Sequence, residues 1–274
     1  MLRRILLVCL TLCLSLTAFA TDRFLMYGIT HDGKLLEINR SDGSSTLLRQ
    51  LPAQYQNFDS LEFVGSHFYA SYAGGKILRF DFDPGSEVEL NPGQFPYIEA
   101  LAADSRDRTI ASISTDADIA AESFGEMNLT NGNVATVVPY GNSAVAWDVD
   151  ALAFDTFDNL WGINLNGPRA LFRIDTGTGA ISNVVNLQRV YPALTILPRF
   201  DVFYASHAHD TTGTNFDSEL YIIDPLLGTE TLVGSMGQRG VSGLTFGPVP
   251  EPSSIAILAL GLVGGAFAKR RRRS

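Results

Sequence analysis

The chain has no cysteine beyond residue 13; its two, Cys9 and Cys13, both lie in an apolar N-terminal stretch. A chain that loses that stretch can hold no disulfide, thiol nucleophile, thiolate zinc site or cysteine-ligated iron–sulfur cluster. Phosphate-cradling glycine loops are absent too, and Ser143 in GNSAV lacks the second glycine of a nucleophile elbow. Positive charge is scarce outside the ends. Seven of the 20 basic residues are Arg3, Arg4, Lys269, Arg270, Arg271, Arg272 and Arg273, leaving 13 in the body against 28 of the 29 acids, about −15. Nucleic acid and anionic lipid repel a body of that sign, so no nucleic-acid partner is expected. The charge suits solubility, cation binding and contact with neutral polymers.

At the N-terminus, Arg3 and Arg4 precede an apolar run over 5–16, and Ala18-Phe19-Ala20 follows with small residues at −3 and −1. This order predicts a signal peptide over 1–20, cut by signal peptidase after Ala20. The run is short for a membrane span. A lipoprotein site at Cys13 is disfavoured because Leu12 is too large for the position before a lipidated cysteine. Both cysteines leave with the signal peptide, so stability must come from a hydrophobic core.

The body repeats. One kind of segment appears as SLEF (60–63), EALAAD (99–104), DALAFD (150–155), ALTIL (193–197) and SGLTFG (242–247). A second appears as FLMYGIT (24–30), HFYASY (67–72), RTIASIS (108–114), NLWGINL (159–165) and DVFYASH (201–207). A third appears as KLLEINR (34–40), KILRFDF (76–82), ALFRID (170–175) and ELYIID (219–224), with GEMNLTNG (125–132) as a looser copy. Gly turns and a short final strand close each unit. Apolar alternation between Asp, Gly, Asn and Pro turns reads as β-strand. Four strands per roughly 45-residue unit, five times over, predicts an all-β, five-bladed β-propeller over 21–248. The body opens on a second-type strand and ends on a first-type strand, so the last strand should complete the first blade and hide the sheet edges. A β-sandwich or open sheet with the same strand count is the alternative. The units resemble the degenerate blades of exported bacterial propellers, a pattern that recurs with unrelated activities, so the fold leaves function open.

Aligning the units puts Asp59, Glu99 and Asp150 two residues before Leu61, Leu101 and Leu152, with Pro192 and Ser242 at the other two positions. If these strands are innermost, three carboxylates ring one mouth of the channel. Mutual repulsion then asks for a hard cation such as Ca²⁺, or for intervening water; the simpler reading has each acid capping a turn. Asp148, Asp150, Asp155 and Asp158 also cluster in WDVDALAFDTFDN, without the glycine and glutamate of a calcium-binding hand loop. Asp155 and Asp158 are expected to bound a hairpin. His207 and His209 alternate in ASHAHD and can share one strand face toward a metal, with Asp210 beside them and no third ligand identified. His31 sits in the THDGK turn. Tyr55, Phe58, Tyr69, Tyr72, Phe95, Tyr97, Tyr140, Trp147, Trp161 and Tyr191 are either sugar-stacking platforms or core between blades. No catalytic residue is singled out.

The end of the chain is the specific signal. Val249, Pro250, Glu251 and Pro252 are followed by an apolar stretch over 255–268 and by Lys269, Arg270, Arg271, Arg272 and Arg273. Residues 249–274 resemble the PEP-CTERM sorting signal of Gram-negative bacteria in all three parts and their order. The prolines hold the motif extended. Fourteen apolar residues reach about 21 Å as a helix, short of a comfortable span. Gly261, Gly264 and Gly265 allow close helix approach, and the cations stop translocation on the cytoplasmic side. The resemblance implies a transient inner-membrane tether through 255–268, with the body in the periplasm. It further implies cleavage near Pro-Glu-Pro by an exosortase and passage to the cell surface or an exopolysaccharide matrix. The expected function is a non-enzymatic binding or structural propeller in that matrix, with polysaccharide as a candidate partner. A hydrolase or lyase acting on polysaccharide or a lactone is the alternative.

Overall fold

The computed structural model describes residues 24–90, 95–114, 123–141, 147–165, 168–207 and 217–249. They contain the compact unit Phe24–Gly247; a second unit, Met1–Arg23 with Pro248–Ser274, is described only at Pro248 and Val249. The expected signal peptide, the 255–268 span and the basic tail therefore lie outside the described residues. No helix among the described residues is long and apolar enough to cross a membrane.

Twenty strands among the described residues form five antiparallel four-stranded sheets. In chain order they are β1 (Phe24–Thr30), β2 (Lys34–Ile38), β3 (Ser45–Gln50), β4 (Glu62–Val64) and β5 (His67–Tyr72). Next come β6 (Lys76–Phe80), β7 (Val88–Leu90), β8 (Tyr97–Ala103), β9 (Thr109–Ser114) and β10 (Ser123–Met127). The second half holds β11 (Val134–Pro139), β12 (Val149–Phe154), β13 (Leu160–Asn164), β14 (Ala170–Ile174) and β15 (Ile181–Asn186). It finishes with β16 (Ala193–Leu197), β17 (Val202–His207), β18 (Glu219–Ile223), β19 (Glu230–Ser235) and β20 (Val241–Pro248). Four blades run in sequence order, β4–β7, β8–β11, β12–β15 and β16–β19; the closing blade is β20-β1-β2-β3. The five-bladed propeller and its closure by the last strand are as expected.

Burial explains the repeat. The second strand of each blade is buried on both faces and carries a small residue at its centre: Gly28, Ala70, Ala111, Gly162 and Ala205. Neighbouring side chains take up that space, as where Ile38 and Val241 crowd Gly28. The fourth strands β3, β15 and β19 show mostly exposed residues, as outer edges do.

The blades pack through five apolar interfaces. Tyr27, Ile29 and Leu35 meet Phe58, Phe68 and Phe80; Ile77 and Leu90 meet Ile98, Ile113 and Met127. Phe124 and Tyr140 meet Leu160 and Phe172; Trp161 and Leu171 meet Phe203 and Tyr221. The ring closes where Tyr204 and Leu220 meet Met26, Leu36 and Phe246. A fully buried side chain of this size contributes about 1.5–3 kcal/mol, so each interface is a substantial part of the core.

Polar staples join the same blades. Arg49 on β3 is paired with Glu87 and donates to the carbonyls of Asp81 and Asp83 at 2.7 and 2.8 Å. Glu230 on β19 accepts from Arg189 at 2.8 Å and from the Tyr191 hydroxyl at 2.9 Å. Burial works to raise the Glu230 carboxyl, and the bonds from the Gln188 N–H, Arg189 and Tyr191 prevail and hold it below its ordinary value. The β14–β15 turn shows how close the outer contacts are. Gly179, at φ 74°, bonds the Asp175 carbonyl, and a Cβ there would lie 2.0 Å from the Pro139 oxygen of the preceding blade.

Gly179→Ala should therefore lower stability by more than about 2 kcal/mol in urea denaturation, adding a backbone clash to the left-handed penalty. Gly85→Ala, at φ 86° with open space around its Cβ position, should lose only the conformational share, about 1–2 kcal/mol. Equal losses at the two glycines would refute the close approach between blades.

Candidate functional site

The first strands of the blades meet around the axis, so the channel has two mouths. One lies where these strands begin; the other lies at the hairpins to the second strands.

At the first mouth, two of the predicted carboxylates occupy equivalent distortions. Glu99 falls where the β8–β9 register shifts between Ile98 and Ala100, and Asp150 where the β12–β13 register shifts between Val149 and Ala151. A bulge re-aims the side chain it inserts, which explains how acids at these positions meet. Carboxylate oxygens of Glu99, Asp148 and Asp150 all lie within 4.8 Å of one another. Asp148 is buried, its backbone N–H donating to Asn164 Oδ1 at 2.5 Å. Asp59 joins through charge rather than as a fourth close ligand. Burial first, and the Glu99 charge second, push its carboxyl up to about 7. At a fourth position, Ser242 donates to the Phe58 carbonyl at 2.6 Å and so pins the blade junction. The donor set contains oxygen alone, the preference of a hard cation such as Ca²⁺. Asp148 is the member that sequence alignment between the units does not find, because it precedes the aligned position by two residues.

Only one member of the histidine pair lies among the described residues. His209 lies outside the described residues, and His207 uses Nδ1 with the Val190 carbonyl at 2.8 Å, between the rings of Tyr191 and Tyr221. His207 is not part of the carboxylate group. Of the aromatics left open as platform or core, Phe58, Tyr69, Tyr72, Tyr140, Trp161 and Tyr191 are buried and belong to the core. The rings that stand out are two others, Phe157 at 78% and Phe200 at 72% exposure.

Both rings belong to the second mouth, where the hairpins interlock. Asp155 caps its own turn, accepting from the Phe157 and Asn159 N–H groups at 2.9 Å and from the Trp161 indole at 3.0 Å. Asp158, at φ 58°, turns outward and accepts from the Ser105 N–H and hydroxyl of the preceding blade at 2.9 Å. Asp201, at φ 49°, grips Thr156 in the same way, at 2.9 Å to N–H and 2.7 Å to the hydroxyl. Asp104 accepts from the Arg106 and Arg108 N–H groups at 2.9 Å. These acids frame the mouth, as the hairpin role of Asp155 and Asp158 anticipates.

Inside the frame is a cavity of about 350 Å³ lined by residues of all five blades. Glu62 reaches into it from β4. Its Oε1 accepts from the Thr245 hydroxyl at 2.9 Å and from the Phe63 N–H at 3.0 Å. Burial dominates and pushes this carboxyl up to about 8, against the pull of bonds from Thr245, Phe63 and the Ala103 backbone. At neutral pH the group is a carboxylic acid, able to donate as well as accept. No feature of the SLEF segment marks Glu62 as lining a cavity.

Comparison with known proteins agrees with this division between tail and body. A family model described as the PEP-CTERM protein-sorting motif matches residues 248–273. The chain carries a PEP-CTERM sorting signal. The signal implies an exported, membrane-transiting protein processed by an exosortase. Among solved structures, the chain is similar to a protein of unknown function from Bacteroides caccae, with TM-score 0.50 and 12% identity, over 82% of this chain and 99% of that one. It is also similar to a chain described under the de novo evolutionary emergence of a symmetrical protein, with TM-score 0.51 and 13% identity, over 84% and 100%. At these identities the likeness concerns the fold alone. No curated protein matches the sequence.

Both raised carboxyls bear on stability. Each holds a proton in the folded state that the unfolded chain has released, Asp59 between its ordinary 3.8 and about 7, Glu62 between 4.5 and about 8. Stability is therefore fullest below these ordinary values and falls as pH rises through the window, by about 1.4 kcal/mol per pH unit for each proton held. Glu62→Gln should flatten the decline between pH 5 and 8, and its stability relative to the wild type should rise across that range in urea melts. An unchanged slope would show that Glu62 ionises as it does in water.

Proposed function

We propose that the protein is an exported, surface-sorted and non-enzymatic β-propeller with a binding or structural role in an extracellular polysaccharide matrix. Signal peptidase removes residues 1–20, and an exosortase cleaves near Pro250-Glu251-Pro252 and releases the body from the inner membrane. One observation carries the reading: the matched motif begins at Pro248, the residue on which β20 ends. Cleavage beyond Val249 leaves all four strands of the closing blade whole, so release and folding do not conflict. The acidity of the body suits passage through an environment where adhesion to anionic lipid would be harmful. A cation at Glu99, Asp148 and Asp150 belongs to the same proposal, as a tie between the third and fourth blades.

A hydrolase or lyase is the second reading, favoured by the proton held at Asp59 beside Glu99. Carboxyl groups with raised affinity for protons are suited to general acid work.

Intact mass of the protein from hosts with and without the exosortase tests the processing. The expected product lacks Lys269, Arg270, Arg271, Arg272 and Arg273 only where the enzyme is present; retention of these residues in both hosts would refute it. Calcium should raise the melting temperature, and Asp148→Asn should abolish the rise. Turnover of matrix polysaccharide that Asp59→Asn eliminates would favour the enzyme over the binding body.

A further inference from the structure

We propose that the cavity at the hairpin mouth is a binding site for a neutral, hydroxyl-rich ring, a single sugar residue of a polysaccharide. The inference rests on the matrix role above and supplies it with a site on the face opposite the Glu99–Asp148–Asp150 cluster.

The cavity holds about 350 Å³, within the range of small-molecule sites, and its lining is mixed in character. Glu62 and Thr245 are hydrogen-bonded to each other there, and Thr195 adds a second hydroxyl. Such groups offer donors and acceptors without formal charge so long as Glu62 keeps its proton. Phe154 and Phe246 supply apolar wall.

The rim selects by sign. Asp155, Asp158 and Asp201 spend their acceptor capacity on the turn and blade bonds described above, so they hold the frame rather than seize a ligand. Asp104, Asp107, Asp155 and Asp158 nevertheless outnumber Arg199 in the lining, and an anionic sugar would enter against that charge. Outside the lining, and exposed, are Phe157, between the lining residues Thr156 and Asp158, and Phe200, next to the lining residue Arg199. The Thr156–Asp201 bonds hold the two hairpins that carry these rings side by side. Two exposed rings on pinned hairpins offer apolar faces to the C–H faces of a sugar, at little ordering cost because the hairpins are already fixed.

The chain has two tryptophans, and Trp161 donates its indole N–H to Asp155 of the frame, which gives the mouth an intrinsic reporter. Titration of the exported protein with glucose, galactose, mannose, cellobiose and maltose, followed by tryptophan fluorescence and saturation-transfer NMR, tests the proposal. At least one of these should bind at pH 6.5, with glucuronic and galacturonic acid weaker than their neutral counterparts. The double variant Phe157→Ala/Phe200→Ala removes only exposed rings, so it should fold and lose at least about tenfold in affinity. Binding by the wild type should weaken as pH rises through about 8, and Glu62→Gln should bind with that pH dependence gone. Absence of binding by all five neutral sugars would overturn the proposal, and so would stronger binding of the uronic acids. Equal affinity in the double variant would remove the rings from the site. Binding of the wild type to vesicles of phosphatidylethanolamine and phosphatidylglycerol, lost in the double variant, would assign the rings to a membrane surface instead. Retention of the double variant in the polysaccharide matrix at wild-type level, with sugar binding lost, would sink this site while leaving the matrix role standing.

Discussion

Everything in the body depends on one pairing, that of β20 with β1. A propeller is a ring of sheets in which every blade has two neighbours, and removing one contact leaves two apolar flanks open. The closing blade takes its innermost strand from the end of the chain and its other three from the beginning. Separation of these strands would expose both Met26, Leu36 and Phe246 on one side and Tyr27, Ile29 and Leu35 on the other. Ser206 and Ser242 reinforce the two junctions, donating to the Val241 carbonyl at 2.8 Å and to the Phe58 carbonyl at 2.6 Å. Without a disulfide, this noncovalent latch carries what a covalent bridge would otherwise provide. The long sequence separation of its partners makes it a late and slow event in folding.

The same ring geometry creates the electrostatic problem that gives the molecule its chemistry. Five strands converging on an axis bring equivalent positions close together, and the blades place acids at several of them. Two solutions appear within one channel. At the first mouth Glu99, Asp148 and Asp150 are grouped closely enough for a shared cation, and burial and the Glu99 charge raise the affinity of Asp59 for a proton. At the second mouth the hairpin acids are hydrogen-bonded by N–H groups and hydroxyls of adjacent turns, and burial raises the affinity of Glu62 for a proton. The hairpin carboxylates thus become structural fasteners, whereas burial makes Asp59 and Glu62 responsive to pH.

Much of the architecture is legible in the sequence because it rests on period-two alternation and on turn residues, both local. The permutation is legible because the order of segment types is itself a topological statement. The site is less so. Glu99 and Asp150 align by sequence, yet a bulge aims them, and a register shift leaves no mark in composition. Asp148 was hidden because its role depends on the β12 strand starting one residue later and on Asn164 binding its backbone. Phe157 and Phe200 resemble any hairpin residue until the exposure of their rings is known. Tyr72, Tyr140 and Tyr191 read from sequence as platform or core alike, and only their burial decides for the core. The bond of His207 to the Val190 carbonyl is a tertiary contact no spacing predicts.

The closing blade also accounts for where a sorting signal can sit. In the other four blades the first strand continues through a hairpin into the second, and these hairpins build the mouth with the cavity. In the closing blade that hairpin is replaced by the two ends of the body, β20 finishing at Pro248 and β1 starting at Phe24. A sequence attached there interrupts no strand and no blade interface. An insertion at any of the four hairpins would instead break the Ser105–Asp158 or Thr156–Asp201 bonds or widen the cavity. A removable address is tolerated at this point because ring closure is complete within β20, before the address begins.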